Sequence, residues 1–203
     1  MNKINIILLV LAVALAGCRG SKPVIPKYYV VEYPHEQSVS LIDTIITLPN
    51  SVEIAQVEVY PAFATHRIAV RENTHELRYF SNSEWAVRPE QSITNYINEF
   101  LQVNRFFEVV STRYWNELPD YRLETTVYQM EILQDRNTFL AHLHLKFSLT
   151  NIESERVIVT HTADRTRELE RRNLNLFADA INHMLFEELQ RFFVKASPIL
   201  KAQ

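Results

Sequence analysis

Glycine is confined to the start of this chain. The two glycines are Gly17 and Gly20, so residues 21–203 contain none. Phosphate-cradling loops and dinucleotide-binding turns need glycine where the backbone approaches the ligand, and the sharp turn that presents a hydrolase serine also uses it. The sequence therefore excludes these three kinds of site. Its turns must instead rely on Asn, Asp and Pro, which tolerate or preset the required dihedral angles.

The first 18 residues have the pattern of a lipoprotein signal. Lys3 supplies a positive charge, residues 6–15 are apolar, and the run ends in Leu15-Ala16-Gly17-Cys18. This apolar run is shorter than the roughly 20 residues that a membrane span needs. Its ending matches the bacterial lipobox, in which the cysteine becomes the acylated first residue. The alternative is an ordinary cleaved signal followed by an unmodified cysteine.

The lipobox predicts how the chain is organised. Residues 1–17 form a signal that is removed, Cys18 carries the acyl and diacylglycerol anchor, and residues 18–27 form a tether. Residues 28–203 form a single domain. Arg19 follows the cysteine where inner-membrane lipoproteins often have Asp, which favours the periplasmic face of the outer membrane. We expect no cofactor besides this covalent anchor.

The mature chain is mildly acidic. The formal charge of the whole chain is −3, and Lys3 leaves with the signal, which lowers the charge by one to −4. An acidic chain without a Lys/Arg-rich block argues against a nucleic-acid partner. Because Cys18 is the only cysteine, the domain has no internal disulfide and depends on its core alone.

Hydrophobic periodicity predicts an α+β fold with a largely antiparallel sheet and two helices packed on one face. The first helix carries Pro89 and Glu90 in its first turn, and Asn173 is a suitable N-cap for the second. The first helix has its apolar face at Ile93, Tyr96, Ile97, Phe100 and Leu101. Strands are predicted at 28–31, 52–60, 67–71, 76–80, 106–110, 121–133, 139–150 and 156–164.

Two of the strands allow more detailed predictions. If the strand that begins at Arg156 buries Val157 on the same side as its later apolar residues, Val157 pairs with Leu149, which leaves a three-residue loop at 152–154. In the strand before this pair, the apolar alternation changes phase near Val127 and Tyr128. Such a change predicts a β-bulge there.

His142 and His144 lie two residues apart in a predicted strand, a spacing that can bind a metal ion. Two histidines on one face of a strand, with Asp164 across from them, can form a weak metal site. The alternative is a solvated polar face on which His142 and Asp164 form a cross-strand pair. We favour the second interpretation and predict no metal. His161 falls on the other face and cannot complete a site.

The remaining charged residues suggest no catalytic group. Glu187 and Glu188 are neighbours in the predicted second helix, so their side chains point apart, and exposed carboxylates are common on polar helix faces. A cluster of arginines has Glu168 and Glu170 between its members, which indicates a solvated strand end; the alternative is contact with lipid headgroups. The members of the cluster are Arg165, Arg167, Arg171 and Arg172.

An ordered series of motifs is similar to the ABC-type transport auxiliary lipoprotein family. The series comprises Tyr28-Tyr29-Val30, Val57-x-Val59-x-Pro61-Ala62-Phe63, Arg67-Ile68-Ala69-Val70-Arg71, Glu76-Leu77-x-Tyr79 and Trp85-Ala86. The chain departs from the family after Trp85-Ala86, where Val87-Arg88 stands instead of a Pro-Leu pair, and in a longer segment at 35–50. The resemblance implies an α+β domain without catalytic residues.

The same resemblance implies an accessory role beside the MCE-type lipid-transport systems of Gram-negative envelopes. The implied partner is an MCE-type periplasmic protein, and a homo-oligomer stays possible. A second hypothesis is a lipid carrier that holds an acyl chain between the helices and the sheet. Such a groove would use aromatic residues that otherwise fill a packed core.

A loop after the strand 52–60 is the predicted partner surface. Pro61 ends that strand, and small residues around Phe63 leave its ring free to project as an interface anchor. Arg67 and Arg71 follow, and Trp85 is a further candidate. The alternatives are that Phe63 folds back over the sheet and that Trp85 caps the core. For Trp85 we favour the core.

The anchor can be tested by changing Cys18 to Ser. Two or more acyl chains give stable membrane attachment, because each buried CH₂ contributes about 0.8 kcal/mol. We expect Cys18→Ser to abolish metabolic labelling with palmitate and to leave the protein uncleaved or unanchored. Labelling that persists in this variant would contradict the lipoprotein interpretation.

Overall fold

Nine strands and two helices lie in the residues that the computed structural model describes, which are 25–34, 48–113 and 118–202. The predicted signal, Cys18, most of the tether and the segment 35–47 lie outside these residues. The strands are β1 (Lys27–Tyr29), β2 (Leu48–Ile54), β3 (Glu58–Val59), β4 (Arg67–Arg71), β5 (Leu77–Trp85), β6 (Phe107–Ser111), β7 (Tyr121–Asp135), β8 (Thr138–Asn151) and β9 (Arg156–Leu169). The helices are α1 (Pro89–Asn104) and α2 (Leu174–Lys201).

The long strand β7 is the centre of the sheet. It pairs antiparallel with β8 along its length, and β8 pairs antiparallel with β9. Along its other side, β7 takes β2, β3 and β4 in succession, all parallel to it. Strand β5 pairs antiparallel with β4 and parallel with β1, and β6 lies parallel beside β2. The predicted α+β class with a largely antiparallel sheet is confirmed, because its longest ladders are antiparallel.

Both helices begin where the sequence predicts. Helix α1 starts at Pro89, which occupies the first turn, where a missing N–H costs nothing. Helix α2 has Asn173 as its N-cap, whose side chain accepts a hydrogen bond from the N–H of Asn175 at 2.8 Å. Neither helix in the described ranges combines the length and the hydropathy that a membrane span requires.

Aromatic rings fill the space between the helices and the sheet. Phe106 stacks on Phe193 with their ring centroids 4.5 Å apart, and Phe100 stacks on Phe106 at 5.6 Å. The hydroxyl of Tyr96 in α1 donates a 2.7 Å hydrogen bond to the carbonyl of Asn182 in α2. The two helices therefore contact each other as well as one face of the sheet, as predicted.

A bulge in β7 confirms the predicted phase change. Val127 lies opposite Leu145 and Gln129 opposite His144, so Tyr128 is the extra residue. Up to Val127 the odd-numbered residues of β7 face the helices, and after Tyr128 the even-numbered residues do so. The bulge thus moves the second half of the strand onto the opposite phase.

The predicted register of β8 and β9 is wrong by two residues. Leu149 lies opposite Val159, not Val157, and Val157 is 60% exposed. Two features cause the difference: a turn of four residues, 152–155, in place of three, and a bulge at Ile158. The shift leaves the predicted faces of the residues after the bulge unchanged, because it equals one full period of the strand.

The residues that adopt left-handed backbone conformations are not the residue types that we expected in turns. In the described residues, the non-glycine positions with positive φ are Arg105 (50°), Arg136 (49°) and Glu155 (54°). We expected turns to use Asn, Asp or Pro. These three positions instead carry long side chains, at a cost of roughly 1–2 kcal/mol each, because glycine is absent there.

A buried carboxylate joins α2 to β9. Glu188 has no exposed surface, and its carboxylate lies 2.7 Å from Arg165 Nε and 2.7 Å from His161 Nε2, with Arg191 also in contact. Burial alone would raise the pKa of Glu188, but the hydrogen bonds from His161 and Arg165 and the nearby positive charges lower it.

The interpretation of Glu187 and Glu188 as exposed carboxylates is therefore wrong for Glu188. The arginine cluster is also not a solvated strand end throughout, because β9 continues to Leu169. Arg165 binds Glu188, and Arg167 Nη2 lies 2.6 Å from Glu187 Oε1. Two of the four arginines thus hold the second helix against the edge of the sheet.

We expect Glu188→Gln to lower the free energy of unfolding by about 1.5–3 kcal/mol, because it weakens hydrogen bonds to charged partners at a buried site. The neighbouring Glu187→Gln is the matched control. Its pair with Arg167 is exposed, so the change should cost less than about 1 kcal/mol. Urea unfolding at neutral pH measures both values, and equal losses would contradict the structural role of Glu188.

The same variant has a predicted pH dependence. Because the pKa of Glu188 is lower in the folded chain than the unfolded value of about 4.3, its contribution is complete above the unfolded pKa. It is lost as the pH falls through the folded pKa. The stability difference between the original chain and Glu188→Gln should therefore shrink below about pH 4.

Candidate functional site

The face of the sheet that points away from both helices, called the outer face below, carries the candidate site. In β8, the core residues Ala141 and Leu143 flank His142, so His142 points to the outer face. Glu131 of β7 lies opposite His142 in the register and points the same way. Both residues are buried, although helices cover only the other face.

The turn at residues 60–66 lies over the outer face. The N–H of Phe63 donates to the carbonyl of Tyr60 at 2.8 Å, and the hydroxyl of Tyr79 donates to the carbonyl of Ala62 at 3.0 Å. The Phe63 side chain is 4% exposed, yet it is not part of the core between helices and sheet. The expectation that its ring projects into solvent is wrong. The alternative, in which the ring folds back over the sheet, is confirmed.

Trp85 lies in the core, as the favoured alternative predicted. It is 2% exposed, and its ring centroid is 5.7 Å from that of Phe177 in α2. Its backbone N–H donates to the carbonyl of His66 at 2.7 Å, which fixes the end of the turn. The Trp85 side chain therefore does not contribute to the exposed surface.

Arg67 is the exposed cation of this surface. Its guanidinium carbon lies 4.0 Å from the centroid of the Tyr79 ring, and its backbone N–H donates to Thr65 Oγ1 at 3.1 Å. Such stacking holds an arginine in place without neutralising it. Within the described ranges, no carboxylate forms an ion pair with Arg67. Pro61, in the adjacent turn, is also exposed.

A shallow groove of about 300 Å³ runs beside the turn. Its lining residues are Tyr60, Ala62, Phe63, Arg71, Tyr128, Gln129 and His144. Tyr60 forms an exposed wall, with 60% of its surface accessible, and Tyr128 packs against His144 with ring centroids 4.8 Å apart. The aromatic rings make this groove largely apolar, with polar groups at its ends.

Four charged or titratable side chains cross the outer face in a row, one from each of the adjacent strands β4, β7, β8 and β9. We call this row the charge ladder, and its members are Arg71, Glu131, His142 and Asp164. Arg71 Nε donates to Glu131 Oε1 at 3.0 Å, and Arg71 Nη2 lies 2.9 Å from Glu131 Oε2. His142 Nδ1 is 3.5 Å from Glu131, and His142 Nε2 is 2.8 Å from Asp164 Oδ1.

The contacts within the charge ladder set the direction in which the pKa of His142 shifts. Burial alone would lower the pKa of this imidazole, but the hydrogen bond to Asp164, the Glu131 carboxylate 3.5 Å away and the negative charges of both groups raise it. The predicted cross-strand pair of His142 with Asp164 does form, but the predicted solvated face is wrong for His142, which is only 7% exposed. The pair forms diagonally, because Asp164 lies opposite His144 in the register and Thr166 lies opposite His142.

The two histidines do not form a joint metal site. His144 stacks on Tyr128, whereas His142 binds the carboxylates of the ladder. In the part of the chain that the structure describes, no group of three or more His, Cys, Asp or Glu side chains is arranged to hold a metal ion. His161 points to the helix side, as predicted, and binds Glu188.

Sequence reasoning placed Pro61, Phe63, Arg67 and Arg71 in one region, and the structure brings them together there. It missed Tyr60, Tyr79, Tyr128 and Glu131. A signal for Glu131 was present, because the phase change in β7 puts it on the face opposite Met130 and Ile132. No comparable signal marks the three tyrosines, since their proximity depends on how the turn folds over the sheet.

A family model described as the ABC-type transport auxiliary lipoprotein component matches residues 39–189. No protein of curated function matches the chain.

Several solved structures share the fold. Protein XCC0632 from Xanthomonas campestris superposes with a TM-score of 0.67 at 16% identity, covering 88% of this chain and 98% of that one. A second structure, described only as an uncharacterized protein, has a TM-score of 0.63 at 11% identity, covering 82% and 95%. The hypothetical protein CT253 from Chlamydia trachomatis has a TM-score of 0.50 at 6% identity, covering 77% and 100%.

Identities this low establish a common fold and nothing about activity. The family model carries more weight, because it matches well over half of the residues and spans β2 to α2. It includes the turn at 60–66, the charge ladder and most of α2. On this evidence the chain belongs to the ABC-type transport auxiliary lipoprotein family.

Proposed function

We propose that the chain is a lipid-anchored, non-catalytic accessory subunit of an MCE-type lipid-transport system in a Gram-negative envelope. It acts by binding an MCE-type periplasmic protein through the outer face. Family membership is the observation that carries this proposal, since it makes the chain an auxiliary component of a transport system. The groove beside an exposed, stacked Arg67 supports the choice of surface.

The chemistry of the ladder supports a non-catalytic role. Its titratable groups bind one another: Arg71 and His142 both contact Glu131, and His142 also contacts Asp164. A general acid or base must instead reach a substrate proton. The sequence after Gly20 contains no glycine, so it lacks the glycine-dependent turns that bind phosphate or present a nucleophile. We propose no cofactor beyond the acyl anchor on Cys18.

The sequence of the N-terminal region supports the location. The lipobox at 15–18 and membership in a lipoprotein family agree on an envelope anchor. Arg19 after the cysteine favours the periplasmic face of the outer membrane over the inner membrane. Cys18 and Arg19 lie outside the described residues, so sequence alone supports this step.

The packed core favours this role over the lipid-carrier alternative. A carrier needs space between helices and sheet, but rings occupy that space: Phe100, Phe106 and Phe193 stack on one another and are buried. Native mass spectrometry of the purified protein distinguishes the two functions. A carrier should retain a lipid that dissociates as a defined mass, whereas an accessory subunit should carry only its covalent anchor.

Co-purification from detergent-solubilised membranes tests the proposed role. The tagged full-length protein should capture a periplasmic MCE-type protein in a fixed ratio. Its Cys18→Ser variant should capture less, because it is no longer concentrated at the membrane. If repeated experiments capture no transport component, the proposed accessory role is wrong.

Phe63→Ala separates packing from binding. Because the ring is buried against the outer face, we expect the variant to lose roughly 3 kcal/mol of unfolding free energy. The groove loses one of its walls, so capture of the partner should also weaken. Urea unfolding and co-purification measure the two effects, and normal capture by the destabilised variant would take this turn out of the binding surface.

A further inference from the structure

Arg67 combines a fixed position with a charge that forms no ion pair among the described residues, although Glu84 lies opposite it in the register of β4 and β5. Its guanidinium stacks on Tyr79 at 4.0 Å, and the Tyr79 hydroxyl in turn binds the carbonyl of Ala62, which lines the groove. The cation is thus fixed at the border of the groove. Across the described residues it has no ion-pair partner, unlike Arg71, Arg78, Arg88 and Arg122.

The groove itself is apolar and small. Its volume of about 300 Å³ and its ring-lined walls suit one large apolar side chain. The charged residue in its lining, Arg71, is already satisfied, because Glu131 binds it through both carboxylate oxygens and its Nη1 reaches the carbonyl of Thr74. Arg71 therefore adds little attraction for a second anion.

We propose that this groove binds an acidic peptide segment of the partner protein, with an apolar side chain in the groove and an adjacent carboxylate on Arg67. The inference rests on the proposed accessory role and names the chemistry of the partner. One unpaired guanidinium beside one apolar groove fits one carboxylate beside one apolar side chain. The planar guanidinium presents two parallel N–H donors that match a carboxylate.

The surrounding charges favour such a local contact over an anionic membrane surface. Asp164 is 63% exposed on the outer face, and Glu124 and Glu168 are exposed on the same side of β7 and β9. These acids would repel a sheet of anionic headgroups, since a membrane surface covers an area much wider than one groove. A peptide can present its single carboxylate to Arg67 and stay clear of them.

The chain offers a matched control for each variant. Arg67→Glu reverses the unpaired charge, and Arg172→Glu reverses another exposed arginine that stacks on a ring, Phe80, at 4.9 Å. Tyr60→Ala removes a groove wall that is 60% exposed, and Tyr28→Ala removes a tyrosine that is 61% exposed on β1. All four side chains are exposed, so folding should survive, and urea unfolding checks this.

The experiment selects random phage-displayed peptides on the purified full-length lipoprotein in detergent and measures the enriched peptides by fluorescence anisotropy. Enriched peptides should place Asp or Glu beside an aromatic or aliphatic residue. Arg67→Glu and Tyr60→Ala should each weaken binding by roughly tenfold or more. Arg172→Glu and Tyr28→Ala should leave it nearly unchanged. A peptide with Lys in place of its acid should bind Arg67→Glu better than it binds the original chain.

Enriched peptides without an acidic residue, or equal binding by Arg67→Glu, would overturn the proposal. So would binding to phosphatidylglycerol-containing vesicles that needs Arg67 while the peptides fail, because the ligand would then be a lipid headgroup. Co-purification distinguishes this failure from that of the accessory role. If the original chain and Arg67→Glu capture the same transport protein equally, only the present inference fails. If neither captures one, the accessory role fails.

Discussion

One extra residue in β7 determines what the outer face can be. Tyr128 interrupts the alternation, so Met130 and Ile132 take over from Val127 as the residues that face the helices. Without this bulge, Glu131 would point into the aromatic core, where an isolated carboxylate would be too costly to bury. With it, Glu131 lies between Arg71 and His142, and the Tyr128 ring packs on His144 in the groove. Both the ladder and the groove depend on this bulge.

The features that sequence predicted are those with local causes. Pro89 and Asn173 mark the helix starts by their own backbone chemistry, and the phase change near Tyr128 is visible within one strand. Features that depend on distant partners were missed. The parallel docking of β2, β3 and β4 along β7 joins strands far apart in the chain. The β8–β9 register failed because its constraint assumed that Val157 is buried, which the bulge at Ile158 prevents.

Prediction from sequence also failed for two buried carboxylates, because their burial depends on partners that are distant in the chain. Glu131 and Glu188 each look exposed in a local pattern, because carboxylates usually are. What stabilises each buried carboxylate is a cation on a different element: Arg71, 60 positions away in the sequence, for Glu131, and Arg165, 23 positions away, for Glu188. For the candidate site, the loop 61–67 was identifiable from its composition. The direction of the Phe63 ring was not, because it depends on the hydroxyl of Tyr79 drawing the turn onto the sheet.

The division of charge between the two faces bears on how a partner can bind. On the helix side, Glu188 and the arginines bound to it hold α2 against β9. Aromatic rings fill the core between the helices and the sheet. On the outer face, the groups of the ladder contact one another, so a partner that covers it would meet side chains that already have partners. Arg67 is different, because it has no ion-pair partner among the described residues, and covering it without an anion would cost the desolvation of its guanidinium. If the outer face binds the partner as proposed, it discriminates among partners mainly at Arg67 and through the shape of the adjacent groove.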